Sequence, residues 1–208
     1  MKDAAAKLIE VQEDPQHRFG RVAARYDNEN LYLAYLVQGS PKLRNAGQDA
    51  NLLFKTGDVV DLMLGPVGVN KTGEGNLRLL LSQIAAKPIA VLYEKTVPGT
   101  PEKARIPFSS PWRTITFDRV TTPSDVKVAM GSGPGGCLVE TAIPWSRLGV
   151  KPVAGLKLRG DFGILAADAG GTVTTARHYW SNKSTGLVND VPGEAELAPQ
   201  LWGELTLE

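Results

Sequence analysis

Apolar and polar positions alternate in short runs along most of this chain. Over 31–37, Leu31, Leu33, Tyr35 and Val37 share one face of an extended strand, and Tyr32, Ala34 and Leu36 share the other. Both faces are apolar, which suits a strand central to a sandwich. Residues 20–26 read as its hairpin partner across the polar turn Asp27-Asn28-Glu29-Asn30. Further strands are predicted over 77–84, 88–93, 112–117, 125–130, 137–143 and 201–207. Residues 158–168 and 172–180 make another hairpin, over Ala169-Gly170-Gly171. At 144–149, a leading proline and a closing glycine predict one helical turn. Ala4-Ala5-Ala6 and Leu8-Ile9 predict a short helix over 2–10. Segment 39–55 is a polar loop ending in Leu52-Leu53-Phe54, and 182–199 is another polar loop. Segment 97–111 holds four prolines and reads as a long extended loop covering one end of the fold. About ten short strands separated by turn signals predict an all-β fold, an antiparallel β-sandwich or jelly roll. It carries long loops and one or two short helical turns. No domain boundary is visible, so 1–208 is read as one domain, with 1–19 as a linker or edge segment.

The strand at 57–64 stands apart. Val60, Leu62 and Leu64 point one way; Val59, Asp61 and Met63 point the other. Asp61 sits mid-strand between apolar neighbours, and an unpaired buried charge is expensive. One reading is that this face lines a concave, partly wet surface. The other is that Asp61 pairs with a nearby arginine or faces solvent.

Composition narrows the function. The 23 basic and 22 acidic residues are spread along the chain for a net charge of +1, so no basic stripe argues for nucleic acid. No apolar run is long enough to span a bilayer, and no signal-peptide pattern opens the sequence. A single cysteine, Cys137, excludes an internal disulfide. The 22 glycines and 14 prolines fit an all-β chain with many turns.

Short motifs add little catalytic chemistry. Gly131-Ser132-Gly133-Pro134-Gly135-Gly136 matches the dinucleotide pattern but precedes a strand rather than a helix, so it reads as a hairpin loop. Asp161-Phe162-Gly163 spells a kinase metal motif with none of its companions. The two histidines, His17 and His178, form no metal-binding pattern, and no serine elbow is present. Nothing singles out a carboxylate pair for glycoside hydrolysis. Asn70-Lys71-Thr72 and Asn182-Lys183-Ser184 are formal glycosylation sequons. The four tryptophans, 112, 145, 180 and 202, are the natural stacking surfaces for a sugar ring. Trp145 and Trp202 read as core, whereas Trp112 and Trp180 border loops.

Four stretches together resemble the family 9 carbohydrate-binding modules and their relatives with DOMON-type sandwiches. They are Ala24-Arg25-Tyr26-Asp27 followed by Asn30-Leu31-Tyr32-Leu33-Ala34-Tyr35; Gly57-Asp58-Val59-Val60-Asp61-Leu62; Glu140-Thr141-Ala142-Ile143-Pro144-Trp145 with Leu148-Gly149; and Trp202-Gly203-Glu204-Leu205. The resemblance covers about residues 20–207. It implies a non-catalytic β-sandwich that binds mono-, oligo- or polysaccharide. Such a module rides with covalent neighbouring domains on a larger secreted bacterial protein, extracellular or in the envelope, with no membrane insertion and no nucleic-acid partner. In sugar-binding members an aromatic wall precedes the acidic strand, and a carboxylate there and an arginine on the following strand bond the sugar. The matching positions are Phe54, Asp61 and Arg78. The first wall is usually Trp, so Phe54 is a departure. The second wall is a Trp before the final strand; Trp180 is the nearest candidate, with Asn182 beside it. Family members can bind structural calcium, and Asp27, Asn28 and Asn30 are the oxygen-rich positions here, but no EF-type spacing supports a calcium site and a polar β-turn is the better explanation. No other cofactor is implied. Some relatives bind haem, for which Met63, Met130 and His178 are the obvious axial ligands. A third option is a structural or docking sandwich whose sugar slot has degenerated.

Overall fold

The computed structural model describes residues 7–14, 17–68, 72–185 and 190–208. Two antiparallel sheets face each other. One runs β1 (Lys7–Asp14), β2 (His17–Tyr26), β3 (Asn30–Gln38), β11 (Gly136–Pro144) and β10 (Lys127–Gly133) from edge to edge. The other runs β13 (Thr174–Tyr179), β12 (Lys157–Ala167), β4 (Val59–Pro66), β5 (Leu77–Ile84), β6 (Lys87–Glu94) and β9 (Arg119–Thr121). β14 (Gly203–Thr206) pairs with the first part of β12, and β13 with the rest. A separate hairpin joins β7 (Ile106–Ser109) to β8 (Thr114–Phe117). Three short helices, α1 (Leu53–Thr56), α2 (Trp145–Leu148) and α3 (Val191–Ala195), interrupt the connections. The all-β sandwich expected from the alternation is the fold observed.

Alternation explains which residues go where. On β4, Val60, Leu62 and Leu64 enter the core between the sheets, against Val22, Leu33, Tyr35 and Val139. Val59 and Met63 face outward into a second apolar layer. That layer lies between the second sheet and a cover made of α1, the β7–β8 hairpin, α3 and Leu197. Phe54, Tyr93, Phe108 and Phe117 meet there with ring centroids 5.5–6.2 Å apart, in tilted and edge-on pairs. With both its faces buried, β4 is buried at every residue before Pro66.

Several expectations are corrected. Lys7 to Glu10 are strand, not helix. Ile9 and Val11 turn inward while Leu8 and Glu10 turn outward, and the pairing of β1 with β2 satisfies the backbone. The remainder of that predicted helix lies outside the described residues. The proline-rich segment covers the outer face of the second sheet rather than an end of the sandwich, because it contains β7 and the buried Phe108. The 182–199 segment is not simply a polar loop: Pro192, Glu194, Ala195 and Leu197 are buried. Trp112 falls in the turn before β8, not in a strand. The Gly131–Gly136 stretch is the β10–β11 hairpin, with Gly135 at φ +75°. Asn70 and Lys71 of the first sequon lie outside the described residues.

Candidate functional site

Register brings four polar side chains to one place on the outer face of the second sheet. Asp61 on β4 pairs with Gly163 of β12, and Gly163 pairs with Tyr179 of β13. Asp61 and Tyr179 therefore project on the same side with a glycine between them. A Cβ on Gly163 would fall 2.0 Å from Asp61 Oδ1 and 2.5 Å from Tyr179 Cε1, so only glycine leaves room for the carboxylate. Arg78 comes from the neighbouring row, where it pairs with Met63. Arg177 lies two residues before Tyr179, so it shares that strand face.

Asp61 Oδ2 is the hub. It accepts hydrogen bonds from Arg78 Nε at 2.8 Å and from the Tyr179 hydroxyl at 3.0 Å, and lies 2.6 Å from Arg78 Nη2. Tyr179 Oη also accepts from Arg78 Nη2 at 3.3 Å and from Arg177 Nη2 at 3.4 Å. The Phe54 ring lies over the Arg78 guanidinium, 5.3 Å from its carbon, in a cation–π arrangement. From the other side of β4, the Tyr35 hydroxyl donates to the Asp61 main-chain carbonyl at 2.7 Å. Burial works against the Arg78 charge, and Tyr179 and Asp61 outweigh it, so the guanidinium is held above its ordinary value. Burial pushes the Tyr179 phenol up to about 12. The cluster is thus a fixed ion pair with a neutral phenol beside it. Two of its polar atoms, Asp61 Oδ1 and Arg177 Nε, have no hydrogen-bond partner among the described residues.

A short strap closes the cluster. The Glu194 main-chain carbonyl, on α3, accepts from Arg78 Nη1 at 2.9 Å and from Arg177 Nη2 at 3.1 Å. The Glu194 carboxylate accepts from Lys55 Nζ on α1 at 2.7 Å. Arg113, in the β7–β8 turn, clamps both ends of α3 through Asp190 at 3.1 Å and Glu196 at 2.8 Å. Next to that clamp, Trp112 is 86 % exposed. Beneath the strap, Phe54 and Asp61 are 0 % exposed and Arg78 1 %. The expected partly wet surface is therefore a covered one, and Asp61 is tolerated through its pairing with Arg78.

Of the residues singled out in the sequence, Phe54, Asp61 and Arg78 come together, and Trp180 and Asn182 do not join them. Trp180 follows Tyr179 directly and so faces the inter-sheet core, with its ring 6.0 Å from Phe162 and against Gly203. The Asn182 main-chain N–H donates to Asp161 Oδ2 at 2.8 Å, while Asp161 Oδ1 accepts from the N–H groups of Ser181 and Phe162. Asp161 is a buried fastening for the chain leaving β13. Burial there outweighs the three amide donors and lifts its carboxyl to about 6. Arg177, Tyr179 and the Glu194 carbonyl were missed. The i, i+2 spacing of Arg177 and Tyr179 in a predicted strand was the available signal for the first two.

The other ligand sets read differently in three dimensions. Met63 faces the outer layer, whereas His178 stacks on Phe19 of the opposite sheet at 3.3 Å. Met130 is on β10, at the far edge of the sandwich from β13. The three candidate haem ligands therefore do not converge. Asp27 Oδ1 accepts from the Glu29 and Asn30 N–H groups, and Oδ2 from the Tyr32 hydroxyl, all at 2.8 Å. Those bonds account for the polar turn as a turn.

No family model matches the sequence, and no curated protein matches it. Solved structures do. A family 9 carbohydrate-binding module from Caldicellulosiruptor kristjanssonii in complex with glucose superposes with a TM-score of 0.55 at 16% identity, covering 98% of this chain and 84% of that one. The structure of such a module from the same organism with cellotriose gives 0.55 at 16%, covering 98% and 83%. A candidate carbohydrate-binding protein from Bacteroides uniformis gives 0.56 at 14%, covering 98% and 87%. At these identities the likeness is one of fold: the chain has a family 9-like sandwich. Among the described residues, no helix is long and apolar enough to cross a membrane.

Proposed function

We propose that this chain is a non-catalytic carbohydrate-binding module. Asp61, Arg78, Arg177 and Tyr179, with the Phe54 ring over Arg78, take sugar hydroxyls once α3 is drawn aside. The observation that carries this reading is the position of the Glu194 carbonyl. One main-chain oxygen accepts from two guanidinia, in the place a ligand hydroxyl oxygen would occupy. A carboxylate beside paired cationic donors is the set that grips vicinal hydroxyls, and an apolar ring supplies the stacking face. The shared fold with modules solved in complex with glucose and cellotriose supports the same ligand class. On this reading the chain serves a larger secreted polysaccharide-active protein, outside the cell or in its envelope.

A second reading is favoured by one observation, the near-complete burial of Phe54, Asp61 and Arg78. In that reading the sandwich is a structural or docking module and the covered cluster only holds α3 in place. Calorimetric titration with glucose, cellotriose and a broad glycan panel separates the two. Sugar binding gives saturable heat that weakens in Arg177→Gln and strengthens in Arg113→Ala, which releases the strap. No heat from either the parent chain or Arg113→Ala leaves the docking reading.

A further inference from the structure

A cavity lies on the opposite side of the second sheet from the covered cluster, and the sugar site does not use it. The two sheets part at one end of the sandwich and leave a cleft of about 850 Å³ between them. Interiors normally close to voids little larger than a water molecule. Pockets that hold small molecules run from about 300 to about 1,000 Å³. The floor is Leu62 and Leu64 of β4 with Phe162 of β12, and Tyr26, Trp145 and Trp180 form walls. Tyr26 and Trp180 are only half-buried, as are Leu31 and Leu205 at the mouth, so apolar surface is left uncovered there.

The chemistry of the walls selects the occupant. The floor side chains carry no polar group, so a sugar pushed inside would leave hydroxyls unpaired at a cost of kcal/mol each. In the walls, the Tyr26 hydroxyl and the Trp145 indole N–H are spent on the main-chain carbonyls of Glu208 at 2.7 Å and Asp27 at 2.9 Å, and charged groups stand towards the rim. Asp27 is spent on its own turn and on Tyr32, and Glu204 is paired with Lys157 at 2.8 Å. Lys7 and Arg25 bring positive charge to the lining as well, and Glu208 negative. Tyr26 and Leu31 line the cleft from one sheet and Leu62, Leu64, Phe162 and Leu205 from the other, so an occupant lies between two apolar walls.

We propose that this cleft binds a single-chain amphiphile, with an unbranched alkyl body between the sheets and its polar head at the rim beside Lys7. The inference is independent of the sugar reading, because Tyr179 and Trp180 place the two sites on opposite faces of β13.

Straight-chain fatty acids from octanoate to tetradecanoate, titrated below their micelle concentrations, test it. The readout is quenching of tryptophan fluorescence by 11-bromoundecanoate, displaced by each acid in turn. The expected result is one-to-one binding whose affinity rises about fourfold per added methylene until the chain outgrows the slot. Quenching should be strong for the terminal bromine and weak for 2-bromododecanoate, whose bromine stays at the rim. Ala24→Trp, or Leu205→Trp, fills the cleft and should abolish displaceable binding while any sugar heat persists. Non-saturating quenching, equal quenching by both bromo acids, or quenching unchanged in both filled variants overturns the proposal. A matching loss of affinity for dodecanol and dodecylamine but not laurate would assign the head to Lys7. Equal affinity for all three would overturn the placement of the head beside Lys7.

Discussion

The main-chain carbonyl of Glu194 stands 2.9 Å from a guanidinium nitrogen of Arg78, an oxygen from α3 closing over a cation from β5. Arg78 is thereby held on two sides, by the Asp61 carboxylate below and by α3 above. Its energetic role follows from burial. Removing one member of a buried ion pair strands the other.

Arg78→Ala should therefore destabilise the fold by about 3–5 kcal/mol, seen as a lower denaturant midpoint. The double variant Arg78→Met with Asp61→Leu should recover most of that loss, since neither charge is then left unpaired. If the double variant is no more stable than Arg78→Ala, the ion pair is not the source of the effect.

Gly163→Ala tests the notch beside the carboxylate. The added methyl meets Asp61 Oδ1 at 2.0 Å, on rigid strand backbone. Overpacking of this kind costs about 1–3 kcal/mol. Thermal unfolding should show the loss, and the Tyr179 ring should shift in the NMR spectrum of the folded variant.

Arg113→Ala should act locally. The two pairs that it breaks are exposed and each contributes about 0.2–1 kcal/mol, so the global midpoint should barely move. Amide exchange at Glu194 and Glu196, whose N–H groups bond to Asp190 and Pro192 carbonyls, should accelerate, while β4 amides stay protected. Uniform acceleration would mean that α3 and the sheet open only together.

Asp161 sets a pH dependence. Its carboxyl binds a proton more tightly folded, at about 6, than unfolded, near 3.8. Between those values the native state holds more protons, so stability falls as pH rises from 4 to 6 and then levels off. The contribution is about 3 kcal/mol. Carbon NMR of the Asp161 carboxyl should titrate near pH 6, and the slope of stability against pH should flatten in Asp161→Asn. Asp168, which the N–H groups of Val173 and Thr172 hold at about 2, titrates below this window.

The strands were legible because period-two alternation is a local property, and β5 was visible to the residue in Leu77–Ile84. The need of Asp61 for a partner was legible too, because a charge mid-strand cannot stay unpaired, but Arg78 as that partner came from the family resemblance and not from the pattern. The cover was not. Residues 190–197 are polar enough to read as solvated, and their burial depends on Arg78, Arg177 and Lys55, which lie far away in sequence. The same holds for β7: a proline-rich stretch gives no period, and only the rings of Tyr93 and Phe117 reveal where Phe108 goes. Trp180 was misplaced by one residue of phase, since its neighbour Tyr179 is the one that faces the carboxylate.

That phase makes β13 a partition with a different room on each side. Deleting one residue within it would swap the phenol and the indole, emptying the carboxylate's company and the cleft's wall in a single event. Substitutions can therefore tune either room alone, but the length of this strand is common property, and neither room can change it without the other.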